Sequence, residues 1–146
     1  MALLDSSEDA LAASYRQVAA GHQADADVHY ACRTFAGQCD AHRERLAPIL
    51  GRYDREGHVE PERLRPDGLT ATRSGAVGLL RDLQDLYQLA NLVEITWTAV
   101  GQAAAGARDR ALLELTARGD RDTEAQLAWL CTRIKAEAPQ ALLAAP

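Results

Sequence analysis

Apolar residues recur along most of this chain in alternating steps of three and four, the period that places them on one face of an α-helix. The clearest run spans residues 76–106. There Leu79, Leu83, Leu86, Ala90, Val93, Trp97, Val100 and Ala104 share a face, and Leu80, Tyr87, Glu94 and Gly101 form a neighbouring one. A second run, 27–53, sets Val28, Cys32, Phe35, Cys39, His42, Leu46, Ile49 and Tyr53 on one side. A third, 109–137, presents Leu112, Leu115 or Thr116, Gly119, Thr123, Leu127, Leu130 and Ile134. The shortest, 6–22, aligns Leu11, Ser14 or Tyr15, Val18 and His22. Runs of Val, Ile, Thr and Tyr at period two are missing, so the pattern predicts four helices and no sheet.

The residues between these runs read as helix ends. Ser6–Asp9 (SSED) resembles a capping box with Asp9 in place of the usual Glu or Gln. Gly21 stops the first helix and Asp25 or Asp27 caps the second, which makes a tight helical hairpin. Gly106 and Asp109 do the same between the third and fourth. Pro48 removes one backbone bond inside the second run and predicts a kink or a break there. Pro139 ends the fourth helix and leaves ALLAAP as a loosely docked tail.

Residues 54–75, with Gly57, Pro61, Pro66 and Gly68, form the longest irregular stretch. Loops of this length are uncommon in compact domains and need a structural reason. A helix of about 28 residues is ~42 Å long, and about 20 extended residues reach at most ~70 Å. The stretch therefore suffices to cross the full height of a bundle and start the third helix at the opposite end. Two tight hairpins joined by one crossover is the expected topology, with a simple up-down-up-down bundle as the other possibility.

Composition narrows the class. At 146 residues the chain makes one domain, and 47% apolar with 25% charged residues is ordinary for a soluble globular protein. The net charge of −5, with fifteen arginines scattered among acids, argues against nucleic acid as a partner. The N-terminal MALLDSSEDALA has no basic stretch followed by an apolar one, and no apolar run reaches the length of a membrane span. Cys32, Cys39 and Cys131 are odd in number and lack zinc-type pairing, so a disulfide framework is not expected. The expected setting is the cytoplasm.

Few residues offer chemistry. Glu94 stands inside NLVEITW, and a buried carboxylate is costly unless paired or ligating a metal. It reads as a metal ligand near the bundle centre, or as a glutamate at the stripe's edge reaching solvent or an arginine. His42 lies on the apolar face of the second helix, as a ligand or as a core histidine bonded to a polar neighbour. Glu124, in DTEAQLAWL, is the fourth-helix acid nearest the inward stripe, or an exposed one. His22 and His29 flank a helix start beside Asp25, and His58 sits in the long loop with Glu56 and Glu60. Cys32 and Cys39, a heptad apart, are soft-metal ligands or small core residues. No phosphate-cradling glycine loop, nucleophile elbow or HExxH occurs.

The hairpin–crossover–hairpin plan, with DVHYACRTFAGQCDAHRERLAPIL and DTEAQLAWLCTRIK, resembles small bacterial ferritin-like proteins of uncharacterised function. The resemblance covers most of the chain and implies an all-α four-helix bundle. Ferritin-like di-iron sites take a Glu from each of two helices and a Glu-x-x-His from each of the other two. Here Cys39 precedes His42 where a Glu is expected, Leu127 follows Glu124 where a His is expected, and the first helix offers no inward Glu after Glu8. His42, Glu94 and Glu124 survive as candidate metal ligands, so the di-iron motif is incomplete.

Three functions follow in order of preference. The first is an accessory or protein-interaction module, dimeric and without a complete di-iron site, which leans away from an enzyme. The second is a metal protein binding iron, manganese or zinc at a non-standard site around His42, Glu94 and Glu124. The third is a small-molecule carrier with a pocket near Tyr87, Trp97 and Trp129.

Overall fold

The computed structural model describes residues 1–53 and 66–144. Its helices are α1 (Ala2–Gly21), α2 (Ala26–Tyr53), α3 (Gly75–Ala107) and α4 (Arg110–Pro139), followed by a π-helical turn at Gln140–Ala144. No strand occurs among the described residues. Each helix buries the stripe its period predicts: Val28, Cys32, Cys39, His42, Leu46 and Ile49 on α2, and Leu79 through Ala104 on α3. The four stripes meet in one core, in which Tyr15 and Trp97 are the largest wholly buried side chains.

Contacts between helices fix their directions. His22, just past the end of α1, bonds Asp82 near the start of α3, whereas Glu8 near the start of α1 meets both His42 and Trp97. Tyr53, closing α2, bonds Asp109 at the start of α4, and Arg133 near the end of α4 bonds Asp27 at the start of α2. Helices α2 and α3 therefore run parallel, and the connection between them crosses the height of the bundle. Helix α1 packs on α2 and α3, and α4 on the same two, so the diagonals are α1/α4 and α2/α3. The crossover, not the up-down-up-down alternative, is the connectivity.

The described end of the crossover is strapped to α1. Leu69 N–H donates to Ser14 Oγ at 3.0 Å, and Gly68 lies against the same hydroxyl. Thr72 lies where a side chain on Gly21 would stand, so this close passage requires glycine. His58, Glu56 and Glu60 lie outside the described residues.

Two helix ends and the course of α2 through Pro48 differ from the sequence expectation. Helix α1 begins at Ala2, and Ser6 and Ser7 bond back to the Leu3 carbonyl rather than capping. Burial of Leu4 draws MALLD into the helix, and that packing outweighs the capping signal at Ser6. Helix α2 continues through Pro48 to Tyr53 without ending. Helix α3 passes Gly106, and Arg108 takes the left-handed position (φ 55°) that precedes the Asp109 cap. Asp109 accepts from Leu112 N–H as expected. Among the described residues, no helix is long and apolar enough to cross a membrane.

Candidate functional site

The bundle centre holds a polar network drawn from all four helices. Glu8 lies on the buried stripe of α1 with Leu4, Leu11 and Tyr15, so its carboxylate has no route to water. Its Oε1 accepts from Trp97 Nε1–H at 2.7 Å and lies 2.9 Å from His42 Nδ1. On the other edge of the imidazole, Nε2 lies 2.9 Å from Asp122 Oδ2 on α4. The Trp97 ring meets the His42 ring edge-on at 5.5 Å. Gly119 allows this arrangement, because a side chain there would run into the Trp97 indole.

A carboxylate at each nitrogen requires an N–H at each nitrogen, which only the imidazolium provides. Burial pushes the His42 pKa down, but bonding and charge from Glu8, and then from Asp122, outweigh burial and hold it above its ordinary value. The two carboxylates are not equivalent. The Asp122 side chain is 28% exposed and reaches Arg118 at 3.7 Å, while Glu8 is sealed and its Oε2 has no hydrogen-bond partner among the described residues. The Cys39 thiol lies beside Glu8; burial first, and then the Glu8 charge, push it well above the usual thiol range.

A second polar tier follows along the same core. Tyr15 O–H donates to Gln126 Oε1 at 3.1 Å, and Gln126 Nε2 donates to Gln38 Oε1 at 2.9 Å. Tyr15 also packs on Phe35, and Phe35 on Trp129. Burial pushes the Cys32 thiol up to about 12 and keeps the Tyr15 phenol protonated.

At the far end of the bundle stands a third cluster. Asp82, wholly buried, accepts from Arg73 N–H at 2.9 Å and from Arg73 Nη1 at 2.7 Å, and lies 2.8 Å from His22 Nε2. It ties the end of the crossover to α1 and α3.

Of the three candidate ligands, only His42 reaches the centre. Glu94 is half-buried and Glu124 is exposed, and neither bonds His42. Among the described residues, no group of three or more His, Cys, Asp or Glu side chains is placed to hold a metal ion. Glu8 and Asp122 both meet His42, but on opposite edges of its ring, so they do not converge on one point. A di-iron centre would need inward carboxylates and open imidazole nitrogens. These residues do not fit it, because both His42 nitrogens are taken and Leu127 stands where the second imidazole would be. The arrangement serves as an ionic clamp on four helices. The aromatic trio is also dispersed: Trp97 is in the core, Trp129 packs on Phe35, and Tyr87 lines a separate groove between α3 and α4.

Glu8, Asp82 and Asp122 are acids that sequence reasoning did not take as site residues. Each sits at stripe spacing: Glu8 four after Leu4, Asp82 three after Leu79, Asp122 three after Gly119. That spacing is the signal that locates them. A capping reading of Ser6–Asp9 hid Glu8 by making it part of a first turn. Comparison with known proteins found no matching family model, no matching curated protein and no matching solved structure.

Proposed function

We propose that this chain is a ferritin-like helical bundle serving as an accessory or protein-interaction module, without a complete di-iron site. The observation that carries this reading is the closed polar core. His42, the histidine at the bundle centre, bonds a carboxylate through each nitrogen, leaving neither for a ligand or substrate. The outer surface adds support. Ile95 is 60% exposed on α3, and exposed Ala99, Ala103 and Gly106 continue from it at helical spacing. Small residues in such a strip let a second helix approach closely, which suits a second copy of the chain.

A different observation favours the second reading, a metal protein with a non-standard site. Glu8 Oε2 is sealed in the core without a hydrogen-bond partner among the described residues, beside the Cys39 thiol. One experiment separates the two. Untagged protein is exposed to iron, manganese and zinc, desalted and subjected to elemental analysis, and its mass is followed against concentration by light scattering. Self-association that Ile95→Asp abolishes, with no retained metal, supports the interaction module. Stoichiometric metal that His42→Ala removes overturns it in favour of the metal protein.

A further inference from the structure

Helices α2 and α4 are tied to each other where His42 bonds Asp122 and again where Tyr53 bonds Asp109. Between these ties, about 16 Å apart along the helix axis, the seam opens into a groove of about 460 Å³, of the size that small ligands occupy. Its floor is apolar. Ile49 and Leu115 are buried there, with Pro48 and Ala111 beside them. Two guanidinium groups stand over one end. Arg45 lies three residues past His42 on α2, and Arg118 four before Asp122 on α4, so the antiparallel register brings both to one level, a turn from the tie.

Like charges at one level of a helix seam repel. At other seams the arrangement is the opposite: Arg16, Arg43 and Arg133 each meet a carboxylate of the neighbouring helix, Asp40, Asp5 and Asp27. Arg45 makes no hydrogen bond or ion pair among the described residues. Among those residues Arg118 reaches only Asp122, at 3.7 Å, and that carboxylate already bonds His42. Glu114 is the acid on the groove's walls, exposed and one turn before Arg118, and it too makes no ion pair among the described residues. The walls therefore carry two positive charges and one negative. Two helices start and two finish at this end of the bundle, so the helix ends favour neither sign and the side chains decide.

We propose that this groove binds a small organic carboxylate with a short hydrocarbon chain. The carboxylate accepts from Arg45 and Arg118, whose planar forks match its two oxygens, and relieves their repulsion. The chain lies along Ile49 and Leu115 and covers the apolar floor. One uncompensated positive charge suits a monoanion, and the floor requires a tail.

The test is a titration of the full chain with sodium hexanoate at low ionic strength, since salt screens exposed charges, followed by calorimetry and amide NMR shifts. The parallel arms are acetate, which keeps the carboxylate without the tail, and hexylammonium, which keeps the tail and reverses the charge. The expected result is saturable hexanoate binding with shifts confined to the residues around the groove, much weaker acetate binding and none of hexylammonium. Because the chain carries a net charge of −5, it repels anions in general, and a saturable response reports a local site. Arg45→Gln and Arg118→Gln, both exposed and so compatible with the fold, should each weaken binding about fivefold, an exposed ion pair at its strongest. Glu114→Gln should tighten it. Hexylammonium binding as well as hexanoate, acetate binding as tightly as hexanoate, no saturable response, or unchanged affinity in both arginine variants would each overturn the proposal.

Discussion

Replacing His42 with alanine isolates what the buried network contributes. The change leaves Glu8 wholly enclosed, with Trp97 N–H still donating to Oε1 but the imidazolium charge gone. Removing one member of a buried ion pair costs about 3–5 kcal/mol, because the stranded charge cannot be rehydrated. That is a large share of the ~5–15 kcal/mol that stabilises a typical domain. At roughly 3 °C per kcal/mol for a chain of this size, Tm should fall by about 10–15 °C. Asp122→Ala should cost less, about 1 kcal/mol, since Asp122 is partly hydrated and the bond that His42 loses there is the weaker part of the pair. The double replacement Glu8→Leu with His42→Leu should recover part of the loss, because an apolar pair of similar volume leaves no buried charge, while the Trp97 N–H loses its acceptor. Urea unfolding followed by circular dichroism, with unchanged slope, gives all three values. Proton linkage adds a signature. His42 is held above its ordinary value in the fold, so its contribution is complete below about pH 6.5 and is lost as pH rises through the folded value. The gap between parent and His42→Ala should therefore narrow with rising pH. A cost under ~1 kcal/mol for His42→Ala, or a double variant as unstable as the summed single ones, would refute this account.

Further outcomes follow from packing and exposure. Gly119→Ala should destabilise by about 1–3 kcal/mol in thermal melts, since its methyl group meets the wholly buried Trp97 ring. Gly37→Ala, with open space around it in α2, should instead stabilise by roughly 0.5–1 kcal/mol. Asp120, whose Oδ1 is sealed without a partner among the described residues and whose pKa is raised by burial and then by Glu124, opposes folding when ionised. Asp120→Asn should raise Tm at neutral pH, and the difference should shrink as pH falls toward the carboxylate range. Ellman's reagent should modify Cys131 in the native state and reach Cys32 and Cys39 only on unfolding, because both are buried and held as thiols.

The helices were legible in the chain because burial on one face leaves a mark at every third or fourth residue. Val28 to Ile49 and Leu79 to Ala104 are buried where the period places them. The cap at Asp109 was equally local, a carboxylate facing free amides, whereas the glycine at the end of α1 answers to Thr72 of the distant crossover. The length of residues 54–75 permitted a crossover, but length alone fits either topology, and it took the meetings of His22 with Asp82 and of Glu8 with Trp97 to set α2 parallel to α3. The polar core was the least legible part. Periodicity tells which face a residue occupies and says nothing of the level at which it meets another helix. Glu94 looked like the buried acid because apolar residues surround it in sequence, yet it sits at the edge of its stripe and is only half-buried. Glu8 is buried because α1 begins at Ala2 and carries it to the height of His42 and Trp97. Which acid meets the histidine is a property of helix register and crossing, and register is fixed by packing across the bundle.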